Sequence, residues 1–129
     1  NIVNLRKTSV GYDEESGRAV LTLSSDMRYL IDNYNEYIRP VQETGRKVCL
    51  CIEGGGKGIG FCNMTDEQIA DFVSQVMYYV NEFGFDGVNL WDRNSGYGAD
   101  GMPQANKTSY PKLIRHLREA LGNYKLLRR

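Results

Sequence analysis

Glu53 ends one strand-like run, residues 47–53, and Arg93 follows closely on another, residues 85–91. A carboxylate in such a place can give or take a proton. A guanidinium stays protonated throughout the range of enzyme chemistry and serves only as a hydrogen-bond donor. Side chains alternate along a strand, so Asn89, Trp91 and Arg93 share one face and Asp92 points to the other. Glu53 shares its face with Cys49 and Cys51, opposite Val48, Leu50 and Ile52. If the two runs are neighbours in a sheet, an ion pair or charge-assisted hydrogen bond between Glu53 and Arg93 is expected, pinning both side chains. A carboxylate held that way is an acceptor, which is the wrong state for a general acid. Asn94, Ser95 and Tyr97 lie on the polar loop that follows and can add contacts to a ligand.

The remaining reactive side chains carry less. Cys49 and Cys51 sit two apart on one strand face, a geometry that rarely forms a disulfide, and with Cys62 the count is odd. A metal site needs more ligands than these, and His116 is the only histidine. The cysteines read as small core residues, and His116 as a helix-surface residue. The glycine-rich loop at residues 54–60 contains Lys57 but lacks the Gly-Lys-Ser/Thr ending of a phosphate loop. Its glycines are expected to let backbone pass close to a ligand or to another loop. Five of the nine tyrosines, Tyr29, Tyr34, Tyr37, Tyr78 and Tyr79, fall on helical stretches, where packing against a sheet accounts for some of them.

These residues are positioned by an alternation of strand and helix signals, which favours a parallel sheet with helical crossovers. Residues 2–5 read as a first strand, residues 11–17 as a polar turn and residues 19–23 as a short return strand. Asp26 is placed to cap a helix running to about Thr44, kinked or divided at Pro40, with Gly45 beyond its end. After the strand at 47–53, Thr65 and Gln68 form a capping box for a helix with an apolar stripe from Ile69 to Phe83, stopped by Gly84. The strand at 85–91 and a long loop to Lys107 come next. A helix then starts at Ser109 and Pro111 and ends at Gly122, and Tyr124 to Leu127 begins one more strand. Hydrophobic residues make up 41% and charged residues 25%, a globular composition for one domain or part of one. Sixteen basic and sixteen acidic side chains cancel, so no net charge draws the chain to nucleic acid, and no apolar run spans a bilayer.

Two stretches together resemble a known pattern. Lys47-Val48-Cys49-Leu50-Cys51-Ile52-Glu53-Gly54-Gly55 is similar to the third-strand motif of glycoside hydrolase family 18, in which a serine usually precedes the glycines. Phe85-Asp86-Gly87-Val88-Asn89-Leu90-Trp91-Asp92-Arg93 resembles the fourth-strand motif Asp-Gly-x-Asp-x-Asp-x-Glu of that family, most nearly its endo-β-N-acetylglucosaminidase branch. The hairpin region, the segment around Tyr37-Ile38-Arg39-Pro40 and the Tyr97-Gly98 loop extend the likeness over nearly the whole chain. The resemblance implies an α/β fold of the (β/α)8 TIM-barrel type, with residues 1–129 a partial barrel domain from the second strand to the start of the fifth. It implies N-acetylglucosamine-containing glycans as partners, no cofactor, no metal, and a secreted or cell-surface bacterial setting.

The family's chemistry is substrate-assisted: a glutamic acid protonates the glycosidic oxygen while an aspartate two residues earlier orients the substrate's acetamide. Carried over by position, Asp86 and Gly87 match. Asn89, Trp91 and Arg93 stand where the three inward carboxylates belong. The resemblance therefore implies a catalytically degenerate, glycan-binding domain with Trp91, Arg93, Glu53, Asn89, Tyr97 and Asn94 as its contact residues. Trp91 either stacks on a sugar ring or plugs the vacated pocket. Two alternatives stay open: an active hydrolase whose acid is displaced to Glu53, and a scaffold with a filled mouth.

Overall fold

The computed structural model describes residues 1–129. Strand β1 (Ile2–Asp13) is three times the expected length. It turns back at residues 14–17 into β2 (Arg18–Leu23), with Thr8 opposite Leu23 and Asp13 opposite Arg18. Residues 11–13, expected in the turn, are therefore paired strand. The turn is tightened by the Asp13 carboxylate, which accepts from Glu15 N and Ser16 Oγ, and by Gly17 at φ 74°.

Against the next strand, β3 (Lys47–Gly54), β1 shifts register: Leu5 pairs with Leu50, but Thr8 pairs with Ile52. β1 thus carries one extra residue, a bulge. Val3 and Leu5 pack toward the helices before it, and Val10 does so after it. The bulge sets Arg6 and Lys7 side by side beside the upper end of β3.

Three short helices replace the single helix expected from Asp26 to Thr44: α1 (Ser25–Asp32), α2 (Tyr34–Tyr37) and α3 (Arg39–Glu43). Ser24 rather than Asp26 is the cap, its Oγ accepting from Met27 N. The breaks fall at Asn33 and Ile38, not at Pro40. Pro40 lies in the first turn of α3, where a missing N–H leaves no helix bond unmade.

The capping box of α4 (Asp66–Phe83) forms as expected: Thr65 Oγ1 accepts from Gln68 N, and Gln68 Oε1 accepts from Thr65 N. Gly84, left-handed at φ 69°, ends the helix. Ile69, Phe72, Val76 and Val80 of α4 enter the core, where Val48, Leu50 and Ile52 meet them from β3. Gln75 of the same helix donates to Ala19 O and accepts from Leu21 N, so it occupies backbone groups of β2 that the sheet leaves free.

β4 (Gly87–Trp91) starts two residues later than the expected run. Asp86 is taken up instead by Val48 N and the Gln42 amide, which fasten the strand's lower end. α5 (Ser109–Leu121) and β5 (Leu126–Arg128) complete the chain. The sheet order is β2-β1-β3-β4-β5, with β2 antiparallel to β1 and the four others mutually parallel. Strands with helical crossovers on one face make this a sector of a (β/α)8 barrel. No helix is long and apolar enough to cross a membrane.

Candidate functional site

The C-terminal ends of β1, β3 and β4 meet in register: Ser9 pairs with Glu53, and Glu53 pairs with Trp91. In-register residues of neighbouring parallel strands project to one face, so Glu53 and Trp91 stand side by side at the sheet's upper edge. This is the end at which active and binding sites of barrels gather.

Glu53 is the hub. Its side chain is 2% exposed. Its Oε2 accepts from Arg6 Nη2 at 3.0 Å and from Arg93 Nη2 at 3.5 Å, and Lys7 Nζ lies 3.9 Å from Oε1. The expected Glu53–Arg93 pair is present, and Arg6 and Lys7 were missed. Their signal is faint, because the apolar strand-like run ends at Leu5, and only the bulge turns both cations toward β3.

Trp91 is 42% exposed and carries guanidinium groups over its indole. Arg93 Cζ lies 3.5 Å from the ring centroid, a stacked contact, and Arg6 Cζ lies 5.0 Å from it. Both arginines thus bind the carboxylate through an edge and the indole through a face. Asn89 sits lower on β4, half-buried between Cys51 and Arg128 in the ladder.

The residues beyond β4 divide between two sides. Asp92 lies opposite Trp91 and accepts from Tyr97 Oη at 2.7 Å and from Cys62 Sγ at 3.2 Å. Tyr97 Oη in turn accepts from Cys62 N. Burial, aided by the Asp92 carboxylate, pushes the Tyr97 phenol well above its usual range. Tyr97 was expected as a ligand contact, but its hydroxyl is committed to Asp92 and Cys62 and not brought to the Glu53 cluster. Asn94, exposed with φ 59°, offers its carbonyl to Gly56 N.

The glycine loop supports this end of the site through another loop. Gly54, Gly56 and Gly58 donate their N–H groups to the carbonyls of Arg93, Asn94 and Ser95 at 2.8, 2.6 and 2.8 Å. A Cβ on Gly54 would lie 2.5 Å from Arg93 O and Ser95 N, so only glycine permits the approach. Those three N–H groups are spent on the neighbouring loop and are not available to a phosphate. Lys57 instead lines a separate cleft of about 520 Å³ with Tyr12, Glu14, Asp100 and Met102. Cys49 and Cys51 are buried free thiols, and burial pushes Cys49 up to about 11. No cluster of three metal-ligating side chains forms.

Chemically, the cluster consists of one buried carboxylate acting as acceptor, two arginines donating to it, a lysine paired with it by charge, and an indole with both guanidinium groups over its ring. The model of glycosyl hydrolases family 18 matches residues 6–128. An endo-β-N-acetylglucosaminidase of Flavobacterium sp. (strain SK1022) is 40% identical over 102 residues, covering 78% of this chain and 32% of that protein. The crystal structure of EndoBT-3987 from Bacteroides thetaiotamicron with a Man5GlcNAc product superposes with a TM-score of 0.85 at 25% identity, over 98% of this chain and 30% of that one. A second structure of the same protein, with a Man9GlcNAc2Asn substrate, gives 0.81 at 26% identity over 98% of this chain and 32% of that one. The chain spans about a third of the length of these relatives.

Proposed function

This chain belongs to glycosyl hydrolase family 18, and from that premise we propose that its barrel mouth binds N-acetylglucosamine-containing glycans without hydrolysing them. One observation carries the reading. By resemblance to the family motif, Arg93 occupies the proton donor's position, and it is stacked at 3.5 Å on Trp91, which occupies the position of the acetamide-orienting aspartate. Neither side chain can perform the step its position serves. Losing a general acid alone costs a factor of about 10²–10⁴, and here the acetamide-orienting group is replaced as well. Glu53, the carboxylate next to this pair, accepts hydrogen bonds from Arg6 and Arg93. Its Oε2 is thereby already occupied by two guanidinium donors.

Binding is a separate matter from turnover. A pyranose stacking on Trp91 would displace a guanidinium from the indole, whose face suits the C–H groups of the sugar, and the arginines would then offer donors to its hydroxyls. The glycans named for the Bacteroides relative, Man5GlcNAc and Man9GlcNAc2Asn, define the ligand class to try first.

The test uses the full-length protein. Calorimetry with chitooligosaccharides and high-mannose N-glycans should show saturable binding that Trp91→Ala weakens, while a fluorogenic chitobioside releases no product. Turnover that Glu53→Gln abolishes would replace this reading with the displaced-acid one. Absence of binding to either glycan class would end it.

A further inference from the structure

The end of β4 is shaped by a turn that extended strand would not make. Arg93 N donates to Trp91 O at 2.8 Å, which closes a three-residue turn with Asp92 at its apex. A turn closed in this way is shorter than extended strand, so it draws Trp91 and Arg93 toward each other. The 3.5 Å between the Arg93 guanidinium carbon and the indole centroid accords with that approach.

The apex is held from the face opposite Trp91. Asp92 Oδ1 accepts from Tyr97 Oη at 2.7 Å, and Asp92 Oδ2 accepts from Cys62 Sγ at 3.2 Å. The Tyr97 hydroxyl also accepts from Cys62 N at 3.0 Å, so one phenol joins the turn to the loop after β3. A Cβ on Gly60 would lie 2.7 Å from that hydroxyl oxygen, and glycine leaves it room. Burial keeps the phenol protonated and so a donor to Asp92. Without it the carboxylate would keep only a thiol, a weak donor. From the other side Gly54 N donates to Arg93 O at 2.8 Å. Every one of these contacts is made between β3, β4 and the loops that follow them, so none depends on the strands that complete a barrel.

We propose that Tyr97 is a positioning residue for the mouth: its hydroxyl, acting through Asp92, fixes the turn that aims Trp91 and Arg93. Tyr97 touches no ligand in this arrangement. Exchanging a guanidinium for a sugar ring changes what lies on the indole and leaves in place the turn that aims it. For its effect on affinity the inference rests on the glycan-binding reading, whereas the aim of Trp91 can be measured without a ligand.

Full-length protein is labelled with fluorotryptophan, and the Trp91 resonance is assigned by its loss in Trp91→Phe. Tyr97→Phe keeps the ring and removes the hydroxyl. It should move the Trp91 fluorine resonance toward its position in Arg93→Gln, in which the guanidinium stack is gone. Asp92→Ala should do the same, whereas Asp92→Asn retains the Oδ1 acceptor and should stay with the parent. Calorimetry with high-mannose N-glycans should show binding by Tyr97→Phe weakened about threefold to tenfold, the scale of one hydrogen bond. A Tyr97→Phe resonance at the parent position, with only the melting temperature lowered, would reduce Tyr97 to a structural role and overturn the inference. An Arg93→Gln resonance identical to the parent's would overturn it too, since the turn would then have no stack to aim. So would a shifted resonance with glycan affinity unchanged. Should the parent bind no glycan, the glycan-binding reading fails, and the resonance by itself decides the positioning role.

Discussion

At Glu53 two opposing effects compete. Burying a carboxylate carries a desolvation cost, and three cations offset it. Removing one partner of a fully buried pair costs about 3–5 kcal/mol. Here the cations are a third to a half exposed and keep access to water, so the loss should be smaller. Glu53→Gln is expected to lower stability by about 1–3 kcal/mol, the range for hydrogen bonds to charged groups. Urea denaturation of the full-length protein measures it. A variant as stable as the parent would mean that the cations gain nothing from the carboxylate. The neighbouring Asp92 shows how position by itself decides a role: one residue from Trp91, it faces Tyr97 and Cys62 and takes no part in the cluster.

Arg93 owes its place to the pairing of two loops. The loop after β3 and the loop after β4 are joined by three backbone hydrogen bonds, from Gly54, Gly56 and Gly58 to three successive carbonyls. The seam is close enough that added carbon has no room. Gly54→Ala places a methyl 2.5 Å from the Arg93 carbonyl and the Ser95 amide, both of them backbone atoms that cannot swing aside. Overpacking of this kind costs about 1–3 kcal/mol. It should also displace Arg93 from Trp91, so the melting temperature and the glycan affinity should fall together. An unchanged melt would show the seam to be looser than its geometry indicates. On the other side of the mouth the bulge in β1 does corresponding work, since without its extra residue Arg6 and Lys7 would not both reach the end of β3.

Four parallel strands do not close a barrel, which needs eight. Along Ile2 to Leu5, β1 has β3 on one side and no strand on the other, because β2 pairs only from Thr8 onward. β5 has β4 on one side alone. Such edges present unpaired N–H and C=O groups that template association. The 129 residues expressed by themselves are therefore expected to self-associate, seen as species larger than a monomer in size-exclusion chromatography with light scattering. A monodisperse monomer with a cooperative melt would contradict this.

The sequence alone carried the strand–helix alternation, the capping box at Thr65 and Gln68, the glycine stop at Gly84 and the facing of Glu53, Trp91 and Arg93. Each depends on local spacing: the period of two along a strand, the period near four along a helix, and side chains that cap backbone within a few residues. The family resemblance lay in two such local runs. What the tertiary structure decided was non-local. The breaks at Asn33 and Ile38, the length of β1, its bulge, the recruitment of Arg6 and Lys7, and the turning of Tyr97 toward Asp92 each depend on a partner across the fold. A run of residues records its own periodicity but not the register in which a distant strand will meet it, and the charge of this mouth is set by that register.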